Sequence, residues 1–420
     1  MERVTGMKIV DVIAVPIRSG FFSDDQAAIR AGAIHDGFGY RGAPLTEGFG
    51  AIRQPGEALS VMLLLDDGSV AYGDCAAVQY SGAGGRDPVF SAQRAKLEVD
   101  TYVAPLLTGV TLATFRSSAE EIDRFESAQG RLSQAVRYGV TQALLAAVSA
   151  ARGVTMAEVI WDEYDTRSPL RPVPLYAQTG DDRMVNADKM IIKGVDVIPH
   201  ALINNVETGL GHHGELLEEY LRWLVRRISE LRPAGDYQPR LHVDTYGTIG
   251  IAFDHDLEKI AGYLKRLGEV CAPFELAVEH PIDAGSTDAQ VKAYAGLRGE
   301  LARIGAPVRI AVDEWCNTLA DIRRFVEAEA SDIIHVKMPD LGGINNTIEA
   351  LLLVRAAGLE ALCGGSCNET DRSAQISAHV AMACEASQIL AKPGMGVDEG
   401  LMIVGNEMAR TVALIAARAQ

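Results

Sequence analysis

The chain has 420 residues, enough for two domains with a full α/β core in at least one of them. Hydrophobic residues make up 48% and charged residues 23%, the balance expected of a soluble globular protein. A formal net charge of −17 repels phosphate backbones and anionic lipid, so nucleic acid and membrane surfaces are not expected partners, and an anionic substrate would need a local cation.

From the N-terminus, residues 7–17 (MKIVDVIAVPI) read as a strand, and the lack of a small-residue cleavage pattern argues against a signal peptide. A glycine-rich stretch from Ala31 to Gly50 lacks regular periodicity. Residues 58–78 read as two strands joined by an Asp66-Asp67-Gly68 turn. Ser81 to Arg86 has the glycines of a phosphate cradle but no Lys-Ser/Thr ending, so it reads as a loop, one that could close over a barrel mouth. Helices are expected at 92–107, 118–127 and 132–151. Strands followed by helices predict an α+β domain over residues 1–168.

The pattern changes over residues 169–420. Apolar runs at 175–180, 190–200, 241–247, 276–281, 308–315, 333–340 and 360–366 alternate with amphipathic segments. The clearest helix is Glu215 to Leu231, with Leu217, Leu221, Leu224, Ile228 and Leu231 on one stripe; others lie at 256–270, 287–303 and 319–329. Seven or eight such units predict a closed (β/α) barrel, and no GxGxxG follows the first strand to support a dinucleotide fold. No stretch approaches 18 uninterrupted apolar residues, so no membrane span is expected.

Polar residues inside these runs carry the chemistry. Asp244, Glu279 and Asp313 each follow an apolar run and precede a break, at separations of 35 and 34 residues, about one βα unit each. A lone acid there is usually a helix cap or an ion-pair partner. Three in consecutive units converge on the C-terminal face of a barrel, and their repulsion calls for a hard cation such as Mg²⁺. Glu314 is an alternative to Asp313 on the opposite side of its strand. Lys337 lies on the next strand, where desolvation should lower its pKa and make it a general base; it could also simply neutralise the acids. His200 ends an early strand, across the mouth from Lys337. Six cysteines without a CxxC pair suit a reducing cytoplasm, and Cys363 and Cys367 lack the second ligand pair of a zinc site. His212-His213 reads as a surface turn.

HDGFGYRG (35–42), GDCAAVQYSGAGGRDP (73–88), KMIIKGVDVIPHALINNVE (189–207), HVDTYGTIG (242–250), KMPDLGGINN (337–346) and CGGSCNETDRSA (363–374) carry a nearly end-to-end resemblance to the methylaspartate ammonia-lyase family of the enolase superfamily. The resemblance implies a capping domain on a TIM-like barrel, metal ligands Asp244, Glu279 and Asp313, a base at Lys337 and a second acid/base at His200. It places substrate contacts at Gln178, His200, His335, Ser366 and Cys367. Two positions depart from the family: His335 stands where glutamine is usual and Ser366 where threonine is usual, which touches substrate range and pH optimum. The family's reaction is reversible loss of ammonia from L-threo-3-methylaspartate to give mesaconate, through a Mg²⁺-stabilised enediolate, in glutamate breakdown. A monovalent cation such as K⁺ and a cytoplasmic homodimer are implied as well. Another superfamily lyase or epimerase, or a silent metal-binding barrel, are the competing readings. The Lys-x-Lys base of other superfamily branches is absent, since Lys189 and Lys193 are spaced differently.

Overall fold

The long β1 (Met7–Asp24) pairs antiparallel with β2 (Arg53–Leu65), which turns through Asp66–Gly68 into β3 (Val70–Cys75). The short β4 (Thr111–Leu112) completes a sheet of order β3-β2-β1-β4 in this computed structural model, which describes residues 6–80, 86–180 and 182–418. The expected loop at Ser81–Gly85 lies outside the described residues. Alternate residues of β2 are buried, and Leu59, Val61, Leu63 and Leu65 build one core with the apolar face of α1 (Gln134–Arg152). Gly139 lets this helix lie directly on β3, because a Cβ there would sit 2.4 Å from the Cys75 nitrogen. Within the glycine-rich stretch, a short hairpin pairs Ile34–Asp36 with Gly39–Arg41, regular structure that the composition did not announce.

Residues from Leu175 onward form a closed parallel barrel. Its strands are β5 (Leu175–Gln178), β6 (Val197–His200), β7 (Arg240–Asp244), β8 (Leu276–Glu279), β9 (Val308–Val312), β10 (Ile333–Lys337), β11 (Glu360–Gly364) and β12 (Gln388–Leu390). Each is followed by a helix: α2 (Arg183–Ile192), α3 (Glu215–Leu231), α4 (Leu257–Cys271), α5 (Thr287–Arg303), α6 (Leu319–Glu327), α7 (Ile344–Ala356), α8 (Asp371–Cys384) and α9 (Asp398–Arg418). Thr318 and Asp256 cap α6 and α4 with their side chains, and the predicted stripe of α3 is buried at Leu217, Leu221, Leu224 and Ile228.

Two strand expectations need correction. The run 190–200 is mostly not strand: Met190–Ile192 close α2, Gly194 turns the chain at φ +65°, and pairing starts only at Val197. The eighth strand, Gln388–Leu390, is three residues long and left no apolar run to read. Although α9 is long and apolar enough to cross a membrane, it packs Val404, Met408 and Thr411 inward and carries Glu407, Arg410 and Arg418.

Strand periodicity sorts the barrel into two cores. One face of each strand packs outward on the helices, while Tyr176, Val197, Ala277, Ala311, Ile333, Leu362 and Leu390 fill the interior. Residues two further along from Ala277, Ala311 and Leu362 therefore sit higher on the same inner wall, and these are Glu279, Asp313 and Gly364.

Candidate active site

The strand ends bring every predicted residue to one face. Gln178, His200, Asp244, Asp313, His335, Lys337, Ser366 and Cys367 line a common cavity of about 60 Å³. Glu279 is fully buried and does not line the cavity itself, but it stands directly opposite Asp244 in the β7–β8 register. Around the closed barrel, β6 and β10 are four strands apart in either direction, so His200 and Lys337 end diametrically opposed strands. The acids come from β7, β8 and the residue after β9, on the arc between them.

The chain leaves all three acid-bearing strands under strain. Tyr246, His280 and Trp315 adopt φ of 46°, 50° and 64°, and each lies one or two residues beyond an acid. Left-handed backbone costs a bulky residue roughly 1–2 kcal/mol, so the fold holds these turns against their own preference. Trp315 is fastened by its Nε1, which donates to Asp283 Oδ1 at 2.9 Å.

Asp313 and Glu314 differ in their partners. Asp313 Oδ2 accepts from Lys337 Nζ at 2.7 Å, and its Oδ1 is buried without a hydrogen-bond partner. Glu314 Oε2 lies 2.7 Å from Arg86 Nη1, and its Oε1 lies 3.9 Å from Lys337 Nζ. Arg86 also donates to Asp340 at 2.8 Å and Asn317 at 3.2 Å.

Charge is distributed unevenly among the acids. Burial, then repulsion from Glu279 and Asp313, pushes the Asp244 carboxyl well above its ordinary range. Burial acts the same way on Glu279, but His335 and His242 outweigh it and hold that carboxyl well below. Asp313 is likewise held down, against burial, by Lys337. The chain's own groups do not give Lys337 the expected downward shift. Burial works to lower it, but the Asp313 and Glu314 carboxylates beside it keep the ammonium form favoured. Burial lowers His200 to about 4, leaving a neutral imidazole with Nε2 3.7 Å from Asp244 Oδ2.

Two residues that the sequence reading passed over support Glu279 from below. Gln388 Nε2 donates to His242 Nδ1 at 2.9 Å, which leaves the proton of this ring on Nε2, 3.1 Å from Glu279 Oε2. Tyr176 stacks on the same ring at 4.5 Å. The Ser366–Cys367 turn rests on a buried Lys392–Glu369 pair, and Glu369 Oε2 accepts from the Ser366 nitrogen at 2.8 Å. Gly365 is needed there, since a Cβ would lie 2.0 Å from that oxygen. From the loop after β3, Val78, Gln79 and Tyr80 line the cavity, and the Gln79 nitrogen donates to Ser366 Oγ at 3.1 Å. Lys189 and Lys193 lie outside it, both paired with Asp398.

Oxygen donors on three adjacent strands fit a hard divalent cation. Asp313 Oδ1 is buried and unpartnered, and Asp244 pays an electrostatic cost beside Glu279 that a cation would relieve. Donor atoms of His200, Asp244 and Glu279 lie within 4.8 Å of one another, as do those of Glu279, Asp313 and His335, with Glu279 shared.

A family model described as methylaspartate ammonia-lyase N-terminus matches residues 7–165, and one described as methylaspartate ammonia-lyase C-terminus matches residues 168–417. A curated methylaspartate ammonia-lyase of Clostridium tetanomorphum is 52% identical across 98% of this chain and 100% of its own. The solved Mg complex of β-methylaspartase from that organism superposes with a TM-score of 0.94, at 52% identity over 98% of this chain and 100% of that one. A Citrobacter amalonaticus methylaspartate ammonia lyase containing (2S,3S)-3-methylaspartic acid gives a TM-score of 0.95 at 48% identity, covering 97% and 100%. Muconate lactonizing enzyme from Pseudomonas putida shares the fold alone, with a TM-score of 0.59 at 16% identity over 89% and 84%.

Proposed function

This chain belongs to the methylaspartate ammonia-lyase family, and on that premise we propose how its residues eliminate ammonia from methylaspartate. The substrate read here is L-threo-3-methylaspartate and the product mesaconate. Asp244, Glu279 and Asp313 would hold a divalent ion, read as Mg²⁺, which would supply positive charge for the carboxylate next to C3 and offset the Asp313 charge that holds the Lys337 ammonium.

Lys337 accepts the C3 proton of the natural epimer, which requires its amine to be free of Asp313. His200 meets the opposite face of C3 as a neutral imidazole, so it accepts the proton of the other configuration or assists the departing amine by a hydrogen bond. Gln178, with its Nε2 buried and unpartnered, and the Ser366–Cys367 turn hold the substrate's polar groups, while Tyr80 and Tyr246 keep water out. His335 stands within reach of the same cavity.

The observation supporting this reading most strongly is the opposition of His200 and Lys337 across the barrel, with the acids on the intervening arc. Lys337→Ala and His200→Ala, assayed on both C3 epimers, test it. Lys337→Ala should lose about 10²-fold or more on the natural epimer and His200→Ala should show the reverse preference. Equal losses on both epimers would reject the assignment. We also propose a monovalent cation such as K⁺, a cytoplasmic homodimer, and a division into residues 1–168 and 169–420. Light scattering of the purified protein and assays in K⁺ against Na⁺ test the first two; a monomer or equal rates would count against them.

A further inference from the structure

Glu279 is gripped from two directions by imidazoles, and they are not equivalent. His242 lies inside the barrel, its Nδ1 occupied by Gln388. His335 lies at the cavity, with Nδ1 2.6 Å from Glu279 Oε1 and 3.8 Å from Asp313 Oδ1. One donor atom each from Glu279, Asp313 and His335 falls within 4.8 Å of the others. Ligands of one octahedral ion with bonds of about 2.1 Å stand roughly 3–4 Å apart, so this spacing needs little adjustment.

Packing fixes how the ring faces. Its Nε2 side lies against Gly364 on β11, where a Cβ would come within 1.8 Å of Nε2. The missing side chain makes room for the Nε2–Cδ2 edge of the imidazole against the neighbouring strand and leaves Nδ1 near the two carboxylates. Asp313 Oδ1, on the far side of the gap, is buried without a hydrogen-bond partner, as is His335 Nε2. Ligation through Nδ1 needs the lone pair of that nitrogen, so the ring would carry its single proton on Nε2.

We propose that His335 is a nitrogen ligand to the divalent ion on the Glu279–Asp313 side, and that it biases this enzyme from Mg²⁺ toward first-row transition ions, Mn²⁺ among them. Oxygen donors alone suit Mg²⁺, whereas an imidazole adds affinity along the first-row series and little for Mg²⁺. The proposal rests on the reading that Asp244, Glu279 and Asp313 bind a divalent ion. Binding measured without turnover separates the two.

Dissociation constants for Mn²⁺ and Mg²⁺ should be measured by calorimetry on the full chain and on His335→Gln, which keeps a donor for Glu279. The preference for Mn²⁺ should fall about ten-fold or more in the variant. Electron spin-echo spectroscopy of the Mn²⁺ protein should show a directly bonded imidazole nitrogen that disappears in His335→Gln and survives in His200→Ala. An unchanged preference, no nitrogen signal in the parent protein, or a signal that persists in His335→Gln would overturn the proposal. Failure of both ions to bind would overturn the three-acid reading with it.

Discussion

At Gly364 the absence of one methyl group decides where an imidazole can lie. Gly364→Ala should strain the site by about 1–3 kcal/mol, because the new Cβ would meet His335 Nε2 at 1.8 Å. A lower thermal midpoint together with weaker divalent-ion binding is expected; neither changing would show that the ring has another resting place. The three acids were legible from sequence because each is a charged residue at the end of an apolar run. His242 was harder to read. It sits two residues before Asp244, so the strand period puts it on the same wall, but a histidine among apolar neighbours is easily taken for core. The direction of the Lys337 shift could not be read either, because it depends on a 2.7 Å approach to Asp313 across two strands.

Helix–helix contacts show a different kind of dependence. Glu407 on α9 pairs with His379 Nε2 on α8 at 3.1 Å, and hydrogen bonding to His379 holds the Glu407 carboxyl below its ordinary range despite partial burial. A carboxyl lowered on folding adds stability above its unfolded pKa, and this is lost as pH falls through the folded value. Glu407→Gln should therefore cost about 1 kcal/mol near neutral pH, and the gap should close below about pH 4. Thermal midpoints of both proteins across that range check this; a gap that widens on acidification would contradict it. Element boundaries were readable where a stripe or a cap marked them, as at Glu215–Leu231 and Thr287–Arg303. They failed where a helix ran into a strand through Gly194, and where Gln388–Leu390 was too short to show a period.

Across the whole molecule, the N-terminal sheet is joined to the barrel by polar contacts that no local pattern could reveal. Ser19 Oγ donates to Asn368 at 2.9 Å, the Gly20 nitrogen to the Glu369 carbonyl at 2.9 Å, and Arg86 bridges Asp340 and Glu314. Arg86→Met leaves two buried carboxylates without their cation and should cost about 3–5 kcal/mol in urea unfolding. A loss under about 1 kcal/mol would mean that those acids find other partners. The architecture itself was legible because alternation of strand and helix over 250 residues has few solutions, whereas partners separated by more than 200 residues are set only by packing.

The proposed chemistry turns on a divalent ion shared by Asp244, Glu279 and Asp313. A crystal grown with Mn²⁺ and measured for anomalous scattering tests it most directly. The peak should lie about 2.1–2.3 Å from an oxygen of each of the three carboxylates. A peak elsewhere, or one touching fewer than three of them, would contradict the account.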